Sequence, residues 1–201
     1  MPQVNYAKKE IQFKIVYYGP GMCGKTTNLQ VIHEKVPAKA KGKMASLATS
    51  QDRTLFFDFL PLRAEAIEGF VCKFQMYTVP GQVKYNSTRK LVLRSCDGVV
   101  FVADSQLSKM QENKESLLNL EENLQAQQDT LAKMPMVVQY NKRDLPKLAP
   151  LQYMDFLLNN GSVKVPVLEA SALKGDGVLD TLNAIAKLVI QDFVAKKNQG
   201  K

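Results

Sequence analysis

Apolar and β-branched residues fall in short blocks along this chain, separated by stretches of helical composition. Residues 11–18 (IQFKIVYY) form the first block and predict a strand. GPGMCGKTT follows, then a helix-compatible run from Lys25 to about Val36, which Pro37 and the polar segment to Gly42 break. Residues 54–62 (TLFFDFLPL) and 70–79 (FVCKFQMYTV) predict two strands joined by a connector ending in Gly69, suited to pair as a hairpin. A helix is predicted near 84–95. The run 97–105 (DGVVFVADS) is almost continuously apolar, as a strand buried on both faces requires. Helices over 108–128, 150–159 and 176–195 alternate with strands in 134–144 (MPMVVQYNKRD) and 165–172 (VPVLEASA). This alternation predicts an α/β fold: one domain over 1–201, a mostly parallel central sheet, and helices on both faces. Residues 1–9 and 196–201 are expected to be loose ends, and no internal repeat or second domain is visible.

Composition excludes several classes. Hydrophobic residues make up 45% and charged residues 23%, enough apolar material for a core. No apolar run is long enough for a membrane-spanning helix. No secretion signal or lipid-attachment motif is seen, so no intrinsic membrane anchor is expected. Cys23, Cys72 and Cys96 are widely spaced, which disfavours a disulfide framework or zinc site and suits a cytoplasmic protein. Cys72 and Cys96 read as core thiols. Net charge is +8, yet the basic residues are scattered and no basic-aromatic array for nucleic acid appears.

Gly19-Pro20-Gly21-Met22-Cys23-Gly24-Lys25-Thr26 changes the picture, because it matches GxxxxGK[ST] between a predicted strand and a predicted helix. Glycines let the backbone curl so that successive N–H groups face phosphate oxygens. The helix that follows presents its positive end to the same anion. The expected phosphate-binding residues are Gly19, Gly21, Met22, Cys23, Gly24, Lys25, Thr26 and Thr27. Lys25 would reach the β- and γ-phosphates, and the Thr26 hydroxyl would sit on Mg²⁺.

Asn141-Lys142-Arg143-Asp144 selects the base. It follows a predicted sheet strand, at the edge where open α/β sheets bind ligands. An aspartate there accepts two hydrogen bonds, from guanine N1–H and the exocyclic amine. Adenine offers no such pair and would leave the carboxylate unmatched. The Lys142 stem can lie over the base. Ser171, Ala172 and Leu173, after the last strand, supply a second loop whose N–H groups can meet guanine O6.

Four segments then resemble the Ras superfamily, and in particular the MglA-type bacterial small GTPases. They are YYGPGMCGKTTNL (17–29), SLATSQDRTLFFDFLPL (46–62), YTVPGQVKYNSTRKLVLRSCDGVVFVADS (77–105) and NKRDLP (141–146). The resemblance implies a P-loop GTPase domain that binds GTP/GDP with Mg²⁺ and works as a switch in cell polarity and gliding motility. Within Thr78-Val79-Pro80-Gly81-Gln82 it implies that the Gly81 N–H contacts the γ-phosphate and that Gln82 orients the attacking water. General Ras-like proteins have an aspartate where Thr78 stands, and the MglA-type group shows the same threonine. A hydroxyl cannot supply the missing charge, so Mg²⁺ would be held more weakly or helped by Asp52 or Asp58.

Residues 37–53 carry no universal motif. Thr49 and Thr54 both suit a γ-phosphate and Mg²⁺ contact, and the resemblance favours Thr54. It also implies that Arg53 is an arginine finger supplied by the same chain. The expected catalytic set is therefore Gln82, Arg53 and Lys25, with Thr26 and Thr54 on the metal. Phe57 and Phe59 share one strand face and read as core. The implied partners are a Roadblock-type GTPase-activating dimer and polarity or motility effectors, the chain alone being a monomer. A nucleotide-loaded scaffold that barely hydrolyses is the alternative, and Thr78 favours it. An ATP-dependent kinase is the third reading, and Asp144 speaks against it.

Overall fold

A computed structural model describes residues 2–48, 54–67, 69–82, 85–161 and 163–199. Its strands are β1 (Gln3–Asn5), β2 (Glu10–Tyr18), β3 (Ala45–Ala48), β4 (Thr54–Ile67), β5 (Phe70–Thr78), β6 (Gly98–Asp104), β7 (Met136–Asn141) and β8 (Val167–Glu169). Its helices are α1 (Lys25–Lys35), α2 (Asn86–Leu93), α3 (Met110–Gln125), α4 (Leu151–Leu158) and α5 (Val178–Gln199). All strands join one sheet in the order β3-β4-β5-β2-β6-β7-β8, with β1 beside β2. The five strands β5, β2, β6, β7 and β8 run parallel. The β4–β5 pair is the antiparallel hairpin expected from its two apolar runs, and β3 adds antiparallel to β4 at the edge.

Side-chain alternation along β2 explains the layers. Phe13, Ile15 and Tyr17 face a core completed by Leu29 and Ile32 of α1 and Ile185 and Val189 of α5. Val16 and Tyr18 face the opposite core, with Leu120 and Leu124 of α3 and Met154 of α4. Every residue of β6 and β7 is buried, as strands covered by helices on both faces must be. The β4–β5 half is different. Cys72, Phe74, Met76 and Thr78 are buried, while Lys73, Gln75 and Tyr77 between them are half-buried.

The structure departs from the sequence reading at several places. Residues 3–5 pair with residues 10–12 of β2 rather than forming a loose end. At the other terminus α5 continues through Lys196 and Lys197 to Gln199. Phe59 is not core. Its register partner is Tyr77, and the two rings meet at 4.9 Å on the half-open face, whereas Leu60 and Leu62 point inward. Apolar residues occupy both faces of this strand, so the alternation of β5 and not that of β4 fixes its orientation. Among the described residues no helix is long and apolar enough to cross a membrane.

Candidate nucleotide site

The loop from Gly19 to Gly24 joins the C-terminal end of β2 to the start of α1. Gly24 is the N-cap, with φ of 100°, no side chain caps the helix, and no acidic residue lies in its first turn. The positive end of the α1 dipole, uncompensated by any acidic side chain in its first turn, therefore faces the loop, as an anion site requires. Gly24 is also tied in place. A Cβ there would run into Asn141 Nδ2, and the left-handed φ would strain any L side chain. Lys25 is 6% exposed and donates from Nζ to the Gly19 carbonyl at 3.1 Å and the Pro20 carbonyl at 2.6 Å. Its ammonium thus lies inside the curl of the loop, held by carbonyls. Thr26 and Thr27 occupy the first turn of α1, half-buried, and Met22 stands exposed at a φ of 59°.

Asn141 ends β7 beside this loop and is buried. Its Nδ2 donates to the Cys23 carbonyl at 2.8 Å, and its Oδ1 accepts from the Ala172 N–H at 2.8 Å. One amide therefore joins the phosphate loop to the loop after β8. Lys142 has a φ of 67° and donates from Nζ to Asp104 Oδ2 at 2.7 Å. Asp104, at the end of β6, is buried, and Asn113 of α3 grips its backbone from both sides, at 3.0 Å and 2.8 Å. Asp144 Oδ1 accepts from the Ser171 hydroxyl at 2.7 Å. That bond, its own backbone N–H and the nearby Lys174 and Lys142 hold the Asp144 carboxyl below its ordinary value, against desolvation. Ala172 is buried, and Leu173 is among the most exposed apolar residues.

The loop after β5 approaches the phosphate loop from the other side. A Cβ on Gly81 would strike Gly21 Cα and lie 2.6 Å from Gly21 N and 2.7 Å from Pro20 O. Gln82 follows, half-buried. Thr78 is fully buried at the end of β5. Thr54 opens β4, though its side chain lies outside the described structure, and Arg53, Thr49 and Asp52 lie outside the described residues. The structure thus gathers the residues of 19–27, 81–82, 141–144 and 171–173 at one end of the parallel strands. No geometry follows for Arg53 or for the Thr54 hydroxyl.

Two members of this end were absent from the sequence reading. They are Asp104, near the end of the apolar run 97–105, and Arg89, within the helix predicted near 84–95. The alignment of β6 with β7, which pairs Asp104 with Asn141, is the signal that reaches the first. We expect Asp104→Asn to weaken GDP binding about three- to tenfold. The loss is moderate because Lys142 is partly exposed and water replaces some of the lost bond. Dissociation of a fluorescent GDP measures it, and an unchanged rate would show that Lys142 needs no anchor.

The profile of the ADP-ribosylation factor family matches residues 3–189. The mutual gliding-motility protein MglA of Myxococcus xanthus (strain DK1622) is 55% identical over 193 residues, which is 96% of this chain and 98% of the relative. A family match over nearly the whole domain and an identity of this level agree with the geometry of the phosphate loop and of the base loop. The chain belongs to the ADP-ribosylation factor family, and within it is an MglA-type small GTPase.

Proposed function

We propose that this chain is a cytoplasmic switch that hydrolyses GTP to GDP and phosphate, and that its nucleotide state governs cell polarity and gliding motility by selecting partners. The observation that carries the switch reading is the Asn141 staple, which joins the phosphate loop and the base loop into one rim. The gliding-motility role rests on the name of the Myxococcus relative. In this reading Lys25 and the first turn of α1 hold the β- and γ-phosphates. Gly81 N–H meets the γ-phosphate, Gln82 orients the attacking water, and Arg53 neutralises charge on the transferring phosphoryl group. Asp144, Lys142 and the Ser171–Leu173 loop take the guanine.

Mg²⁺ suits the donors at hand. Among the described residues no three His, Cys, Asp or Glu side chains gather to hold a metal by themselves. A hydroxyl from Thr26, a second from Thr54, phosphate oxygens and water make the oxygen-rich set this ion takes when it binds with a nucleotide. Bound there, the ion would neutralise phosphate charge. Basal turnover is slow in this reading, because the segments bearing Arg53 and Gln82 must be ordered together, and a Roadblock-type dimer would do the ordering.

Phosphate release from GTP and from ATP, with Mg²⁺, alone and with a Roadblock-type partner, tests the reading. GTP-selective release that rises with the partner is the expected result. Binding without release in either condition would favour a nucleotide-loaded scaffold instead. The buried, uncharged Thr78 at the end of β5, where general Ras-like proteins have an aspartate, is the observation that favours that second reading.

A further inference from the structure

Arg89 of α2 is the largest fully buried side chain in the described structure. Its Nε donates to the Pro80 carbonyl at 3.0 Å, and its Nη2 donates to the Gly19 carbonyl at 3.1 Å and to Ser116 Oγ at 3.0 Å. Nη1 donates to Asn119 Oδ1 at 2.5 Å, and the guanidinium carbon lies 4.4 Å from the centre of the Tyr18 ring. We propose that Arg89 is a positioning residue for GTP hydrolysis, clamping the Pro80 carbonyl to the Gly19 carbonyl and so fixing where Gly81 and Gln82 stand over the γ-phosphate. The proposal rests on the hydrolysis reading above.

The geometry carries it in three steps. Nε and Nη2 share one edge of the planar guanidinium, and that edge takes one carbonyl from each loop, so the two loops are held side by side. Pro80 directly precedes Gly81, and Gly19 opens the phosphate loop. Fixing these two carbonyls fixes the close approach of Gly81 to Gly21. The opposite side of the group is anchored on α3. Asn119 Oδ1 also accepts from the Tyr18 hydroxyl at 2.7 Å, and Asn119 and Asn123 both donate to Asn86 Oδ1 in the first turn of α2. The clamp is therefore mounted on buried residues of α3 and β2 in the core.

A role in packing alone would not call for this residue. Every partner of the guanidinium named above is neutral, so among the described residues the buried cation has no carboxylate to offset its desolvation. Burial accordingly holds its pKa below the ordinary arginine value. A methionine or leucine would fill the space without that penalty. What they lack is a fork that joins two main-chain carbonyls from separate loops.

The test is single-turnover GTP hydrolysis and GDP affinity of the full chain, with Arg89→Met and Arg89→Lys. We expect Arg89→Met to hydrolyse about 10- to 30-fold more slowly, with GDP and GTP affinity within about threefold of the parent. Arg89→Lys keeps a buried cation but offers a point donor in place of an edge, and should recover less than a third of the lost rate. Folded Arg89→Met with parental turnover would overturn the clamp. So would a fall in nucleotide affinity as large as the fall in turnover, since that would mean the arginine merely shapes the phosphate loop. If neither variant folds, ¹⁵N spectroscopy of the parent decides. A slowly exchanging Arg89 Nε–H is expected with GDP bound, and exchange as fast as that of a surface arginine would overturn the clamp. A parent that releases no phosphate from GTP would instead remove the hydrolysis reading itself.

Discussion

Asp144→Asn should weaken GDP and GTP binding by about 10²–10³-fold and shift preference toward xanthosine diphosphate. Each hydrogen bond from the guanine edge to the carboxylate contributes about 1.5–2 kcal/mol, and two make about 3–4 kcal/mol. The amide that replaces it has one acceptor and one donor group. It therefore faces guanine's amine with an N–H, but matches xanthine, which carries a carbonyl there. The loop itself should survive, because the Ser171 hydroxyl can donate to the asparagine carbonyl as it does to Asp144 Oδ1. Competition of guanosine and xanthosine diphosphates against a fluorescent nucleotide measures the change. Equal losses for both bases would mean that Asp144 only braces its loop. Acidification supplies a second check on the same group. The carboxyl titrates below its ordinary value, so it stays charged as pH falls to about 5 and guanine selectivity should hold over that range.

Gly81→Ala is expected to slow GTP hydrolysis by about 10²-fold while leaving GDP affinity within a few-fold of the parent. The added methyl meets backbone and not a flexible side-chain end: Gly21 Cα, Gly21 N at 2.6 Å and Pro20 O at 2.7 Å. Either the loop after β5 or the phosphate loop must give way. The phosphate loop is held by Asn141 and by the Lys25 ammonium, so the loop bearing Gly81 and Gln82 is the one that moves. A displacement of about 1 Å in a group that positions reactants is enough for a loss of this size. GDP asks little of that loop in the proposed mechanism, which is why its binding is spared. Single-turnover hydrolysis beside GDP titration separates the two effects, and undiminished turnover would exclude Gly81 from the γ-phosphate side of the site.

Much of this architecture is written in local pattern. The largely apolar runs of β6 and β7 announce strands covered on both faces, and the paired runs around Gly69 announce a hairpin. The glycine loop and the Asn141–Asp144 segment are equally local, because phosphate and base recognition depend on a few residues at fixed spacing. Features that depend on tertiary contact were not legible. β1 is only three residues with one half-buried apolar position, Val4, too short for its pattern to announce a strand, and it exists because β2 offers an unpaired edge beyond the start of β6. β3 is four residues, Ala45–Ala48, in a segment for which the sequence predicted no element. β8 is three residues where a longer run was expected, since hydrogen bonding to β7 and not hydropathy sets its length. Arg89 and Asp104 are charged residues whose burial rests on partners brought in by the fold, Gly19 and Asn119 for the first and Lys142 for the second, at least 30 residues away in sequence. Arg53 falls outside the described residues, so its role stays where the resemblance put it.

The Asn141 amide has a kinetic consequence. Because a single side chain bonds Cys23 on one loop and Ala172 on the other, the two halves of a nucleotide bound as proposed would share one fastening. A ligand that engages only one half, such as guanosine or pyrophosphate, orders the common amide at its own expense. A whole nucleotide bears that cost once and gains both halves, so its affinity exceeds the product of the fragments' affinities. Departure follows the same rule, since neither end opens fully while the other is engaged. In the proposed switch, hydrolysis would end the GTP state, whereas the dwell time of bound GDP, and with it the length of the GDP state, would rise with the strength of this one fastening.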